Sequence, residues 1–169
     1  GWFYSLTAVN VALFGKSPWK NLICTGFINA ADGKKMSKKL KNYTDPMELM
    51  NKTSADSFRF LMLSSPLTNG ENFALADKDV MDVARKLGMI WNMYDFFTMY
   101  AEVDGWEFNG DLSDPLHDLT NPLDIWIVSR LHQLITEVER GLNNYNLQDA
   151  TKPILPFLDD ASNWYVRRS

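Results

Sequence analysis

From residue 75 onward, apolar side chains recur at intervals of three and four: Val80, Val83, Leu87, Ile90, Trp91, Tyr94 and Phe97. That spacing lays them on one face of a helix with 3.6 residues per turn, and such a face needs another element to cover it. A second stripe of the same period contains Leu123, Trp126, Ile127, Leu131, Leu134, Ile135, Val138 and Leu142. It follows Asn121-Pro122, an N-cap residue and a first-turn proline. A third stripe contains Ile154, Phe157, Leu158, Ala161, Trp164 and Tyr165, and begins among Pro153 and Pro156, which must delay or kink its first turns. Successive amphipathic helices restrict this part of the chain to a helical bundle. Asp104 to Asn121, rich in Gly, Asp and Pro, reads as the connector between the first two helices.

The earlier part of the chain has a different pattern. Residues 2–14 read as a helix, with Gly15 where a terminating glycine belongs. Lys16 to Lys20 contains Pro18 and reads as a loop. Residues 21–28 form a short apolar run with the look of a buried strand. A helix followed by such a strand suggests the last part of an α/β layer structure. Asp32-Gly33 marks a turn. Asp45-Pro46 predicts the start of a short helix, and Ser54 caps another running from Ala55 to about Leu63. Pro66 to Asn72 is loop, and the boundary between the two parts is expected near residues 64–76. The expected organisation is an α/β remnant over 1–70 followed by a mainly α-helical unit over 71–169, mostly α overall.

Composition narrows the function classes. The 169 residues are 46% hydrophobic and 13% aromatic, too apolar for a disordered chain. The formal net charge of −4 gives no global case for nucleic-acid binding, so any such case must rest on local clusters. Cys24 is alone, which excludes an internal disulfide framework and fits a cytosolic chain. His117 and His132 are far apart with no cysteine nearby, so no metal site is expected. No apolar run approaches 18 residues and no signal peptide is visible, so no membrane association is expected. The chain opens at Gly1 in an aromatic run and stops at Arg168-Ser169 without a helix terminator, so it is expected to be an internal fragment.

The most informative stretch is Gly33-Lys34-Lys35-Met36-Ser37-Lys38-Lys39. It follows the expected strand and a tight turn, and in open α/β sheets ligands bind at the carboxyl ends of strands. A lysine loop there can fold over a polyphosphate. Its ammonium groups neutralise charge that develops on the transferring or leaving phosphates, and Ser37 adds a hydroxyl donor. The competing reading is a solvated basic loop, the usual fate of a charge run. No Gly-x-x-x-x-Gly-Lys pattern precedes a helix, so a P-loop is a poor alternative.

Lys35-Met36-Ser37-Lys38-Lys39 closely resembles the Lys-Met-Ser-Lys-Ser signature of class I aminoacyl-tRNA synthetases, departing at Lys39. The resemblance implies a loop that closes over ATP and stabilises the pyrophosphate leaving group, with Lys35, Ser37 and Lys38 as catalytic residues. It implies ATP contacts from Gly26, Phe27, Lys35, Met36, Ser37, Lys38 and Lys39. It also implies a Rossmann-like origin for the first part and an anticodon-binding role for the helical part. Thr25 stands where the family often has histidine or asparagine.

Within the class, Gly1-Trp2-Phe3-Tyr4 is similar to the Arg-Gly-Trp-Phe segment of the isoleucyl-tRNA synthetase family, which implies that Trp2 walls an amino-acid pocket. From the residues alone, plain core packing is the commoner fate of such an aromatic. Ser162-Asn163-Trp164-Tyr165-Val166-Arg167-Arg168 resembles the same family's Asn-Trp-Tyr-(Ile/Val)-Arg-Arg segment. Residues 123–131 also fit, in a theme shared with valyl and leucyl relatives, and Lys41 to Pro46 points to a eukaryote-like cytosolic branch. The implied partners are isoleucine, ATP with Mg²⁺, and tRNA(Ile). Arg130, Arg167 and Arg168 are the expected tRNA contacts, against pairing with Asp159, Asp160 or Glu137. The family's His-x-Gly-His motif and editing insertion are absent from these 169 residues, so the fragment alone is expected to be inactive. Two other readings stand beside this one: a valyl-type sister ligase, and a non-catalytic helical module that binds RNA or protein.

Overall fold

The computed structural model describes residues 1–111, 113 and 115–169. Helix α1, Trp2–Phe14, ends at Gly15, whose φ of 64° lets its N–H reach the Val11 carbonyl at 3.0 Å. α1 buries none of its residues. Phe3 at its start meets Trp19 edge-on, with ring centroids 5.5 Å apart.

The buried strand expected over 21–28 is corrected here. Among the described residues, regular pairing is confined to β1, Ile28–Asn29, which runs parallel to β2, Phe73–Ala74, in the register Ile28 to Phe73. Leu22, Ile23 and Phe27 are exposed. The main chain nonetheless lies along the segment that precedes β2: Gly26 N donates to Leu67 O at 3.0 Å, and Phe73 N donates to Phe27 O at 2.9 Å. An apolar run records a surface that gains by leaving water, but a neighbouring layer decides whether it does. The two-stranded ladder satisfies backbone groups here and puts no second layer over these side chains.

Helix α2, Pro46–Lys52, starts as expected: the Asp45 carboxylate accepts from Met47 N at 2.8 Å and Pro46 takes the first position. In α3, Ala55–Ser64, the Ser54 hydroxyl accepts from Ser57 N at 3.0 Å, a cap worth about 1 kcal/mol. A 3₁₀ turn, Pro66–Asn69, leads to β2.

Helix α4, Asp77–Asp104, packs its first turns against α3 and buries Val80 and Val83. Leu49 of α2 and Leu67 join this core. The rest of the α4 stripe departs from expectation: Ile90, Trp91, Tyr94 and Phe97 are exposed. A helix of 28 residues is about 42 Å long, whereas the 10 residues of α3 span about 15 Å, so α4 outruns that partner. Its distal aromatics meet one another and the following segment, with Phe96 4.7 Å from Tyr100 and Phe97 5.4 Å from Trp106 between ring centroids.

Helix α5, Pro122–Asn143, begins with Asn121 Oδ1 accepting from Leu123 N at 2.9 Å. It packs on α6, Leu147–Thr151, so closely that a Cβ at Gly141 would sit 2.6 Å from Ala150 N and Cα. The third amphipathic segment runs as α7, Ile154–Asp159, a π turn, Asp160–Tyr165, and α8, Val166–Arg168. Pro153 and Pro156 fall at the N-cap and in the first turn, where no intrahelical N–H is required. The irregularity lies later, in the π turn. Ile127, Ala150, Leu158 and Ala161 form the buried contacts of this unit. Among the described residues, no helix is long and apolar enough to cross a membrane.

Candidate functional site

The lysine segment leaves β1 through a hydrogen-bonded turn. Ala30 is buried, its N–H donates to Lys34 O at 2.8 Å, and Gly33 N donates to Ala30 O at 2.8 Å. Gly33 has φ 79°, a conformation that costs a glycine least. Asp32 Oδ1 accepts from Lys34 N at 3.0 Å, and an antiparallel bridge joins Asn29 to Lys35. Lys35 therefore starts from a position set by β1.

The far side of the segment is held by Asn42. Its Oδ1 accepts from Ser37 N at 2.9 Å, and its Nδ2 donates to Lys35 O at 3.2 Å. Leu40 N closes a further turn on Ser37 O at 3.1 Å. Lys41 has φ 48°, which reverses the chain so that Asn42 faces the loop it has just left. Thr44 Oγ1 then donates to Asp77 Oδ2 at 2.6 Å, tying the exit of the segment to the first residue of α4. Met36, Asn42, Thr44 and Asp77 line a cavity of about 330 Å³ between the segment and that helix.

Lys35, Met36, Ser37, Lys38 and Lys39 thus lie on one loop between β1 and α2. Met36 and Ser37 are half-buried, while Lys35, Lys38 and Lys39 are exposed. Lys34 pairs with Asp32 at 3.6 Å; among the described residues, Lys35, Lys38 and Lys39 enter no ion pair. Exposed ammonium groups on a braced loop, paired with no acid among the described residues, are chemically able to meet a polyanion.

Other candidates lie differently. Trp2 is 82% exposed on α1. Gly26 serves the chain's own packing: a Cβ there would overlap the Glu71 carbonyl and sit 2.9 Å from Asn72 N. Phe27 presents an exposed ring, while its N–H is taken by Asn72 Oδ1 at 2.9 Å. Arg130 is engaged by Asp160, Nη2 to Oδ2 at 2.9 Å, the acid pairing that stood against a tRNA contact. Arg167 and Arg168 are exposed and, among the described residues, form no ion pair. The Arg168 guanidinium lies 3.8 Å from the centre of the Trp164 ring. Among the described residues, no group of three or more His, Cys, Asp or Glu side chains is placed to hold a metal ion.

Residues 1–74, which contain the lysine turn, match the family described as tRNA synthetases class I (I, L, M and V), and residues 124–169 match the anticodon-binding domain of tRNA ligase. Across the whole chain, it is 39% identical over 168 residues to an isoleucine--tRNA ligase of Bdellovibrio bacteriovorus and 40% identical over 170 residues to one of Protochlamydia amoebophila. The chain is thus similar, along its whole length, to class I tRNA synthetases.

These matches cover 99% and 100% of the chain but 16% of each of the two relatives, so the chain spans about one sixth of the synthetases it matches. The fold is similar to that in the agnB2 LeuRS-tRNA-LeuAMS ternary complex of Agrobacterium radiobacter K84, with a TM-score of 0.73 at 18% identity, over 93% of this chain and 20% of that one. The synthetase relatives named here are bacterial, and the eukaryote-like branch read from Lys41 to Pro46 gains no support. That same stretch holds the site residues that sequence reasoning missed, Asn42 and Thr44. Their signal was an amide and a hydroxyl just downstream of the lysines, but their partners, Lys35, Ser37 and Asp77, become evident only in the fold.

Proposed function

We propose that this chain is part of an isoleucine-tRNA ligase, acting in the cytoplasm. In this reading residues 1–70 close a Rossmann-like catalytic domain and residues 71–169 begin the helical anticodon-binding domain. The observation that carries it is the braced turn from Lys35 to Lys39, with exposed ammonium groups that no described acid neutralises. In the activation step, the isoleucine carboxylate attacks the α-phosphate of ATP, isoleucyl-adenylate forms, and pyrophosphate leaves. Lys35 and Lys38 meet the charge growing on that leaving group, Ser37 donates a hydroxyl hydrogen bond, and Met36, Lys39, Gly26 and Phe27 complete the ATP-facing surface. Lysines aimed where charge develops act more strongly on the transition state than on bound ATP. Trp2 walls the isoleucine pocket, and transfer to tRNA(Ile) follows on the helical unit.

Whole-chain similarity to proteins named isoleucine--tRNA ligase favours this reading over a valyl-type ligase, and the lysine turn favours it over a non-catalytic helical module. The test is Lys38→Ala in a full-length ligase carrying this chain, assayed by isoleucine-dependent pyrophosphate exchange. The expected fall is on the order of 10²–10³ in rate. An unchanged rate overturns the assignment.

A further inference from the structure

We propose that Asn42 is a positioning residue for adenylate formation, pinning the backbone on both sides of Met36 so that Lys35 and Lys38 are held in register with the leaving phosphates. The proposal rests on the reading of the lysine turn as the ATP-facing loop.

The geometry is specific to an amide. One end of the Asn42 side chain accepts from Ser37 N at 2.9 Å, and the other donates to Lys35 O at 3.2 Å. Both partners are main-chain groups of fixed polarity, so the orientation of the amide follows from them. A carboxylate of the same shape would keep the first bond and lose the second. An aliphatic side chain would lose both.

Asn42 is itself held from behind. Lys41 adopts φ 48°, a conformation that side chains other than glycine, asparagine and aspartate rarely take. Two residues after Asn42, the Thr44 Oγ1 hydroxyl donates to Asp77 Oδ2 at 2.6 Å at the start of α4. The brace therefore runs from α4 through Thr44 and Asn42 to the main chain at Lys35 and Ser37. Lys38 is the next residue, its ammonium group in no ion pair among the described residues and its backbone origin restrained. Restraint of that kind matters because catalytic groups a small distance out of place lose much of their effect.

The test uses three variants of a full-length ligase carrying this chain: Asn42→Ala, Asn42→Asp and Lys38→Ala. Isoleucine-dependent pyrophosphate exchange gives kcat and the KM for isoleucine. Trypsin cleavage after Lys35, Lys38 and Lys39, followed by mass spectrometry without substrates, reads the restraint directly. Asn42→Ala is expected to lower kcat on the order of tenfold, leave the KM for isoleucine unchanged and speed cleavage at these lysines. Asn42→Asp, which retains the bond from Ser37 N, is expected to fall between Asn42→Ala and the parent in both readouts. If Asn42→Ala fails to fold, the isosteric Asn42→Asp decides alone. Unchanged kcat, unchanged cleavage, or a rise in the KM for isoleucine that matches the loss of kcat overturns the positioning role. Full exchange activity in Lys38→Ala overturns the ATP-facing reading itself, and the positioning role with it. Loss in Lys38→Ala with no effect in either Asn42 variant overturns the positioning role alone.

Discussion

Arg130 and Asp160 are joined by two donors on one oxygen: Nε and Nη2 of Arg130 donate to Oδ2 of Asp160 at 3.1 and 2.9 Å. The pair ties α5 to the first residue of the π turn. The third nitrogen, Nη1, reaches Gln133 Oε1 at 2.6 Å, and Gln133 in turn donates to Glu137 at 2.8 Å. Three of the five N–H groups of the guanidinium are thus engaged within the helical unit, and its planar spread of donors is the reason it suits this joint.

Arg130→Ala should therefore destabilise the helical unit rather than act mainly on tRNA affinity. The side chains are 31% and 34% exposed, so solvent screens the pair and the expected cost is on the order of 1 kcal/mol. Denaturant unfolding of Arg130→Ala, Asp160→Ala and the double variant gives the coupling. Additive losses would show that the pair contributes nothing of its own.

Gly26→Ala should unfold the packing between residues 24–28 and 67–75. The added methyl overlaps backbone at Glu71 and Asn72, and backbone cannot swing away as the end of a flexible side chain does. Overpacking of this kind costs about 1–3 kcal/mol. A shifted denaturation midpoint checks it, and a neutral result would show that the two segments separate freely.

Trp2→Ala should leave the stability of this chain unchanged, because the indole is 82% exposed. In the full-length ligase it should raise the KM for isoleucine more than that for ATP, since apolar contact is worth about 25 cal/mol per Å². Parallel changes in both constants would remove Trp2 from the pocket.

Arg167→Ala and Arg168→Ala should each weaken tRNA binding if both arginines meet phosphates. The two are adjacent on α8 and leave the helix in different directions, so one effect is expected to dominate. Arg168 also stacks on Trp164, a contact worth about 0.5–1 kcal/mol at an exposed site. A lost phosphate contact lowers the slope of log affinity against log salt by about 1. Binding measured at several salt concentrations separates this from a structural loss, which leaves the slope unchanged.

Tyr165 supplies a pH test. Burial first, and then the hydrogen bond from its hydroxyl to Asp124 Oδ1 at 3.0 Å, raise its pKa above the ordinary tyrosine value. The folded state therefore holds this proton more tightly than the unfolded state does. Its contribution is fully present below pH 10.0, the unfolded value, and is lost as pH rises through the folded pKa. Relative to the parent, Tyr165→Phe should lose part of the fall in stability above pH 10.0, seen by urea unfolding on either side of it. Identical slopes would show that the phenol senses no difference between the two states.

Much of the local structure was legible in the residues. The αL glycine at Gly15, the caps at Asp45, Ser54 and Asn121 and the turn at Asp32-Gly33 all depend on side chains and bonds within a few positions. The grouping of Lys35, Met36, Ser37, Lys38 and Lys39 was legible for the same reason. The exposed run at 21–28 and the exposed distal half of the α4 stripe were not, because periodicity names a face and leaves its cover unspecified. The π turn from Asp160 to Tyr165 also escaped, since the prolines that drew attention lie before it.

By itself, the sequence determined most of the helices, their caps and the residue types of the lysine loop, through short-range sterics and hydrogen bonds that are local to the chain. Tertiary structure decided which groups are spent and which are free. It placed Asn42 on Lys35 and Ser37, Thr44 on Asp77, Arg130 on Asp160 and the Glu71 carbonyl in the space beside Gly26. Most of these partners lie far apart in the chain, and even Asn42 needs the reversal at Lys41 to reach its own. Such pairings depend on how the elements cross in space, which no local pattern encodes.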